Sequence, residues 1–180
     1  MNRFSNVNKI YLKILAKIKP VKYAKTIGVN LGENVHIFGN AYKMFGTEPW
    51  AITIGDNVFI TDEVRFVNHD GGTLIFRHKI PSLEITKKIE IGNYVYIGIK
   101  TIILPGVKIG NNCVIGAGAV VTNDIPDNSV AVGVPARVIK STDEYLKKLK
   151  KESLHVGHLK GKEKDIALKK ILEKDKYITW

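Results

Sequence analysis

Apolar positions recur every six residues through the second half of the chain. The aliphatic series consists of Ile91, Ile97, Ile103, Ile109, Ile115 and Val121. A second series of small or β-branched residues, two positions before the next aliphatic residue, consists of Val95, Thr101, Val107, Cys113 and Ala119. A short fixed period predicts a repeat architecture. Three six-residue sides make a triangular coil of about 18 residues, and such coils stack about 4.8 Å apart, so the pattern predicts a parallel β-helix.

The period is interrupted once in the middle of the chain. Regular repeats begin at Ile54 and continue through Phe66. The step from Ile54 to Ile91, however, is one position longer than six repeats of six residues. We therefore predict an excursion over residues 67–88, and an irregular opening coil over residues 27–37. A β-sandwich is the competing fold, but it requires two-residue alternation and uneven turn spacing. The constant phase from 91 to 121 disfavours it.

Helical patterns flank the repeats. Apolar residues at helical spacing predict a helix over residues 6–18 that stops at Pro20. We expect this helix to dock on the repeat body, and the alternative is peripheral contact with a membrane surface. Two further helices are predicted over 143–151 and 162–174. The chain thus divides into a basic N-terminal helical segment (1–25), a β-helix domain (26–140) and a Lys-rich helical C-terminal segment (141–180).

The positive charge lies on the flanks. The net charge is +11, and residues 1–25 hold seven basic and no acidic side chains. Residues 140–180 hold 12 lysines and seven acids, whereas residues 26–139 hold nine basic and ten acidic side chains. A nearly neutral body argues against nucleic-acid binding. No apolar run is long enough to span a membrane, no secretory leader is evident, and Cys113 is alone, so we expect a cytoplasmic protein.

Four stretches of the chain stand out: Ile54–Val58, Ile103–Gly110, Val114–Thr122 and Gly133–Ile139. These stretches resemble the hexapeptide-repeat acyltransferases, above all the maltose and galactoside acetyltransferases and the sugar O-acetyltransferases of capsule and exopolysaccharide gene clusters. They cover most of residues 50–140. The resemblance implies a left-handed parallel β-helix, acetyl-CoA as acyl donor, no metal, and a homotrimer whose active sites lie between subunits.

The resemblance also assigns catalytic residues. His69 stands where the family has its general base, and imidazole titrates near neutrality, which suits the removal of a hydroxyl proton. Asn40 lies near the family's asparagine that stabilises the oxyanion, with a one-residue slip in the match. The role of His78, which follows His69 in the same excursion, stays open.

The remaining site residues divide into donor and acceptor sets. The donor set that the resemblance implies consists of Ile99, Gly116, Ala117 and Thr122 along the pantetheine arm, and of Arg137 and Lys140 at the phosphates of CoA. Related enzymes often have lysine where this chain has Asn123, which makes the two cations more important. The expected acceptor set is Glu48, Trp50, Asp70 and Arg77, because indole stacks on sugar rings and carboxylates accept hydroxyl hydrogens. Trp50 is alternatively an anchor between subunits.

We expect acetyl transfer to a sugar or polysaccharide-precursor hydroxyl. The runner-up acceptors are an amino-sugar nitrogen, serine or an antibiotic hydroxyl. Zinc-dependent carbonic anhydrases share the fold but need three histidines around a metal, and here only His69 and His78 lie close together in the sequence. A non-catalytic scaffold is the remote alternative, disfavoured because His69, Arg137 and Lys140 are all present.

Overall fold

Three parallel sheets surround one narrow core. The computed structural model describes residues 6–175, with side chains for residues 9–173. Numbered in chain order, the strands of the first sheet are β1 (Asn30–Leu31), β3 (Ile52–Ile54), β6 (Ile89–Ile91) and β9 (Lys108–Ile109). The second sheet holds β2 (His36–Ile37), β4 (Phe59–Ile60), β7 (Tyr96–Ile97), β10 (Val114–Ile115), β12 (Ser129–Val132) and the antiparallel β13 (Arg137–Ser141). The third holds β5 (Arg65–Phe66), β8 (Ile102–Ile103) and β11 (Val120–Val121). This architecture is a parallel β-helix.

The core consists of the two predicted six-residue series. In the second sheet Ile97 lies between Ile60 and Ile115 in register, and all three are fully buried. The second series is also buried, and it includes Thr101 and the lone Cys113. Cys113 is therefore a small core residue, as predicted. Each coil buries its apolar positions only against the coils next to it, which is how solenoids gain stability.

The spacing of paired strands measures each coil. Ile91 pairs with Ile109, so a regular coil consists of three six-residue sides. Ile54 pairs directly with Ile91, so the coil between them carries 19 extra residues. Leu31 pairs with Ile54, so the first coil carries five extra residues. Both insertions lie in the half of the chain that precedes the regular repeats.

The opening coil is more regular than the sequence suggested. Residues 27–37 were expected to be irregular, but β1 pairs in register with β3, and β2 pairs in register with β4. That expectation is wrong. The irregular part follows β2, where the longer path of this coil includes two 3₁₀ turns, Ala41–Lys43 and Pro49–Ala51, before β3 begins.

Two helices precede the first strand. The predicted first helix is confirmed as α1 (Asn6–Ile18), and Leu12, Leu15 and Ala16 bury one face of it in the common core. Docking on the body is therefore confirmed. The sequence did not predict α2 (Pro20–Ile27). Pro20 ends α1 but also occupies the first turn of α2, where proline is tolerated because backbone N–H groups there have no partner within the helix. Gly28 caps α2 with φ of 104°.

The chain divides into two compact units, Met1–Thr142 and Asp143–Trp180. Both predicted C-terminal helices are present, as α3 (Thr142–Glu152) and α4 (Gly161–Asp175). Among residues 6–175 no helix is long and apolar enough to cross a membrane. Arg3, counted in the basic segment, lies outside the described residues.

Candidate active site

His69 lies at the base of the longer insertion, which follows β5. The chain leaves β5 while still bonded to the neighbouring coil, with Val67 N–H donating to Ile103 C=O at 2.9 Å. The returning strand then pairs antiparallel with the residues around His69: Asp70 N–H donates to Ile85 C=O at 2.9 Å, and Lys87 N–H donates to Asn68 C=O at 2.8 Å. The insertion thus closes on itself beside His69, and the residues before and after His69 are both hydrogen-bonded to the returning segment.

The shorter insertion, in the first coil, supplies the partners of the imidazole. Nδ1 of His69 lies 3.2 Å from Glu48 Oε2 and 3.2 Å from Thr47 Oγ1. The Thr47 hydroxyl lies 2.7 Å from each Glu48 carboxylate oxygen, to which it can donate. The side chains of His69 and Glu48 are 37% and 28% exposed, so the pair is half-buried with an open side. The two insertions of the repeat therefore meet at one cluster.

The carboxylate selects the tautomer of His69. Glu48 accepts hydrogen bonds only, so it favours a proton on Nδ1 and leaves the lone pair on Nε2. Within residues 6–175 no group is hydrogen-bonded to Nε2. Such an arrangement can take a proton on Nε2 while the nearby carboxylate stabilises the resulting imidazolium.

Asn68 and Gly46 connect the two segments that carry Glu48 and His69. Asn68 is fully buried, and its Nδ2 donates to the Glu48 carbonyl oxygen. Its Oδ1 is buried without a hydrogen-bond partner among the described residues. A Cβ at Gly46 would collide with that oxygen, so only glycine lets the first insertion approach Asn68 this closely. Asn68 thereby ties the backbone of Glu48 to the segment that carries His69.

The expected acceptor residues have varied surroundings. Glu48 contacts His69, and the sequence did not indicate this contact. Asp70 accepts from Gly72 N–H at 2.8 Å and caps the 3₁₀ helix Gly71–Phe76. Arg77 pairs with Glu84 and donates to Leu83 C=O within the same insertion. The side chain of Trp50 is exposed.

Asn40 lies apart from His69 within one chain. Its Oδ1 accepts from Tyr42 N–H at 3.0 Å, and its own N–H donates to Asp62 Oδ1 at 3.2 Å. It lines a cleft with Asp62 and Arg65 at the corner between the second and third sheets. The cluster around His69 lies beyond the opposite end of β5, so a single chain does not join the expected oxyanion donor to the expected base.

The expected donor residues also occupy different edges. Ile99 and Ala117 are exposed in consecutive coils at the corner before the third sheet, where Gly118 N–H donates to Ile99 C=O at 2.7 Å. Thr122 follows the third sheet, on the same edge as His69. Gly116 has a packing reason, because a Cβ there would lie 2.7 Å from Val132 Cγ1. A single chain therefore does not bring His69 and the Ile99–Ala117 corner together.

The two predicted phosphate-binding cations lie on the last strand. Arg137 and Lys140 belong to β13, which runs antiparallel to β12 with Arg137 opposite Val132. Arg137 is exposed and donates to the Ala136 carbonyl oxygen at 3.0 Å. Both cations are thus on the edge strand of the second sheet, beyond the coil that carries Gly116 and Ala117.

Two pKa values in the repeat body are shifted for structural reasons. Burial raises the pKa of the Cys113 thiol, which keeps it protonated and unreactive near neutrality. The backbone and side-chain N–H groups of Asn111 lower the pKa of the exposed Asp127 carboxyl. Among residues 6–175 no three His, Cys, Asp or Glu side chains are placed to hold a metal ion.

The contact of Thr47 and the link through Asn68 were not predicted, although the sequence carries a signal for the first. The step from Leu31 to Ile54 is one position shorter than four repeats of six residues, and this phase slip marks the insertion that carries Thr47 and Glu48. Nothing in the sequence indicated that this insertion and the one after β5 would meet.

Comparison with known proteins identifies the family. Residues 88–123 match the model of the bacterial transferase hexapeptide (six repeats). Protein CapG of Staphylococcus aureus is 41% identical over 171 residues, which are 95% of this chain and 99% of that protein. The chain belongs to the hexapeptide-repeat acyltransferases. Galactoside O-acetyltransferase of Escherichia coli is 43% identical over 136 residues, which are 68% of this chain and 64% of that enzyme.

Solved structures agree with this hexapeptide-repeat acyltransferase assignment. A galactoside acetyltransferase in complex with coenzyme A superposes with a TM-score of 0.57 at 28% identity, covering 82% of this chain and 88% of that one. A maltose O-acetyltransferase from Clostridium difficile superposes with a TM-score of 0.52 at 31% identity, covering 73% and 83%. The described β-helix is thus the fold of known acetyltransferases.

Proposed function

We propose that this hexapeptide-repeat acyltransferase moves an acetyl group from acetyl-CoA to a hydroxyl of a sugar or polysaccharide precursor, with His69 as general base. The observation that carries the proposal is the half-buried pair of His69 and Glu48, with Nδ1 at 3.2 Å from the carboxylate and Nε2 facing no partner among the described residues. Relatives named galactoside and maltose O-acetyltransferases support the acceptor class, and the coenzyme A complex supports the donor.

The reaction is a direct transfer. Nε2 of His69 removes the proton of the acceptor hydroxyl as its oxygen attacks the thioester carbonyl carbon, which forms a C–O bond and a tetrahedral oxyanion. Collapse of the oxyanion breaks the C–S bond, and the departing CoA thiolate takes the proton back from Nε2. Glu48 keeps the proton on Nδ1 and stabilises the imidazolium between the two steps. Asn40 remains our candidate for the oxyanion donor.

The donor is expected to lie along the exposed corner of Ile99 and Ala117. Backbone groups at this corner, with Gly116 and Thr122 nearby, are available to the pantetheine arm, and Arg137 and Lys140 offer cations to the phosphates. The acceptor would then contact Trp50, Asp70 and Arg77 around the insertion that carries His69. These assignments rest on the family resemblance together with the exposure of the corner.

A homotrimer would complete the site. Within one chain the Ile99–Ala117 corner precedes the third sheet, whereas His69 follows β5 of that sheet. We infer that the corner of one copy faces His69 of the next, in a closed three-fold ring. We further infer that the β-helix winds left-handed, as the resemblance implies. We also infer that the enzyme works in the cytoplasm, where cysteines remain reduced and a lone cysteine needs no disulfide partner.

The test follows CoA thiol release with acetyl-CoA and a panel of galactosides, maltose, glucosamine and serine. We expect sugar-dependent release, with mass spectrometry showing an acetyl ester on the sugar. His69→Ala should lower turnover about 10²- to 10⁴-fold, because the general base is lost. The buried Cys113 thiol adds little background to a thiol reagent.

The matched control is His78→Ala, farther along the same insertion. Nδ1 of His78 lies 2.8 Å from the Ile75 carbonyl oxygen, and no other hydrogen bond of this ring is found among the described residues. This variant should stay active if His69 is the base. Full activity of His69→Ala would overturn the mechanism, and a wild-type protein that binds no CoA would overturn the donor. Acetylation of glucosamine nitrogen alone would replace the hydroxyl acceptor with an amine.

A further inference from the structure

Helix α1 has a second apolar face that the body does not cover. Leu12, Leu15 and Ala16 pack into the core, but four large apolar residues point away from it. These residues, the α1 outer face, are Ile10, Tyr11, Ile14 and Ile18, with 61%, 52%, 53% and 68% of their surface exposed. The three isoleucines recur at every fourth position, so they form one line along two turns of helix. Single exposed isoleucines are common, but a continuous line of them marks a contact surface.

Lysines border the α1 outer face. Lys13 and Lys17 each stand three positions after an isoleucine of the line, so they lie beside the isoleucines on the helix. Nζ of Lys13 lies 5.5 Å from the centre of the Tyr42 ring, which fixes this lysine along the flank of the helix. The exposed Lys22 and Lys25 add charge on α2. The first acidic residue of the chain is Glu33, so no carboxylate in either helix balances these cations.

We infer that the α1 outer face binds the surface of an anionic lipid bilayer, with α1 lying in the plane of the interface. Isoleucines in a line can enter the boundary between headgroups and acyl chains, while the neighbouring lysines meet lipid phosphates. Charge argues against pairing of this face with the same face of a second copy, because the two sets of lysines would then face each other with no acid to offset them.

This surface is separate from the candidate active site. None of the α1 residues belongs to the cluster around His69 and Glu48, and transfer to a soluble acceptor does not require α1 to touch lipid. The inference therefore stands or falls independently of the proposed chemistry. If both are right, the enzyme acts on saccharides close to a membrane surface.

The test uses the full chain and sedimentation with lipid vesicles. One set of vesicles is phosphatidylcholine alone, and the other contains about 30 mol% phosphatidylglycerol as the anionic lipid. We expect the protein to sediment with the anionic vesicles and to remain in solution with the neutral ones. Raising NaCl from about 0.1 M to about 0.5 M should weaken the partitioning at least about tenfold, because salt screens the lysines.

Two variants separate the apolar and the charged contributions. Ile10→Gln/Ile14→Gln/Ile18→Gln removes the apolar line at exposed positions with a good helix former, and should weaken partitioning at least about tenfold. Lys17→Gln/Lys22→Gln/Lys25→Gln should weaken it about as much. The matched control is Ile166→Gln/Leu172→Gln on α4, where the side chains are equally exposed and partitioning should not change.

Three results would overturn the inference. The wild type could stay in solution with anionic vesicles, or the variant Ile10→Gln/Ile14→Gln/Ile18→Gln could bind them as well as the wild type. Light scattering is the third check: if the isoleucine variant changes the mass of the oligomer, the α1 outer face is a contact between copies and not a lipid surface. Thiol release with a soluble sugar should stay at the wild-type level in both variants.

Discussion

The coils over residues 89–121 and the coils over residues 38–88 are built on the same core but differ in what they add to it. In the later coils each turn consists of three six-residue sides, and the paired strands follow one another without an insertion. In the earlier coils five and 19 extra residues leave the helix between strands that remain in register. Glu48 and His69 lie on these two insertions. The repeat thus supplies the frame, and its two insertions carry the pair that we propose to be catalytic.

The largest expected effect lies in the core of the regular coils. Ile103→Ala removes a fully buried side chain between Phe66 and Val121, and the neighbouring coils can relax only in part. We expect the free energy of unfolding to fall by about 2–5 kcal/mol, while turnover per folded molecule is unchanged. Denaturant unfolding and an activity assay at low temperature check both. A large loss of turnover without a loss of stability would show that the frame is part of the chemistry.

The second prediction addresses the insertions. Glu48→Gln keeps the size of the side chain but removes the charge beside Nδ1 of His69, so the imidazolium loses its stabilisation. We expect kcat/KM to fall about 10- to 100-fold, or about 1.4–2.7 kcal/mol in the transition state, with Tm nearly unchanged. The control is Glu63→Gln, whose carboxylate lies 4.0 Å from Lys100 on the surface. Equal loss in both variants would contradict a specific role for Glu48.

The third prediction tests whether Arg77 only stabilises the insertion after β5 or also binds the acceptor. Its guanidinium pairs with Glu84 and with the Leu83 carbonyl oxygen, and the ion pair is well exposed. Arg77→Gln should lower the free energy of unfolding by less than about 1 kcal/mol. If Arg77 also binds the acceptor, KM for the sugar rises while KM for acetyl-CoA stays constant. Unchanged constants for both substrates would remove Arg77 from the acceptor set.

The smallest effect concerns acid stability of the regular coils. Asn111 N–H groups lower the folded-state pKa of Asp127, so the ionised carboxylate favours the folded state. This contribution is complete above the unfolded pKa, near 3.8, and is lost as pH falls through the lowered folded value. Asp127→Ala should therefore have a slightly lower Tm than the wild type at pH 7, and the difference should shrink at pH 3. A difference that grows in acid would contradict this assignment.

The sequence alone determined the frame. A six-residue period identifies which residues are buried, because each side of the coil must place one aliphatic residue inward. It also predicted α1, α3 and α4 but not α2, since amphipathic spacing depends on local geometry only. The resemblance carried by the repeats then pointed to the acyltransferase class, which the relatives confirm.

Only the tertiary structure decided how the departures from the period are arranged. Counting in sixes shows a phase slip between Ile54 and Ile91 but not the size of the insertion, because whole multiples of the period leave no trace. Nor does it show that Glu48 lies beside His69, which belongs to the following coil. Local patterns record which residues face a core, whereas contacts between two loops depend on how the coils stack. That stacking placed a carboxylate beside the predicted base.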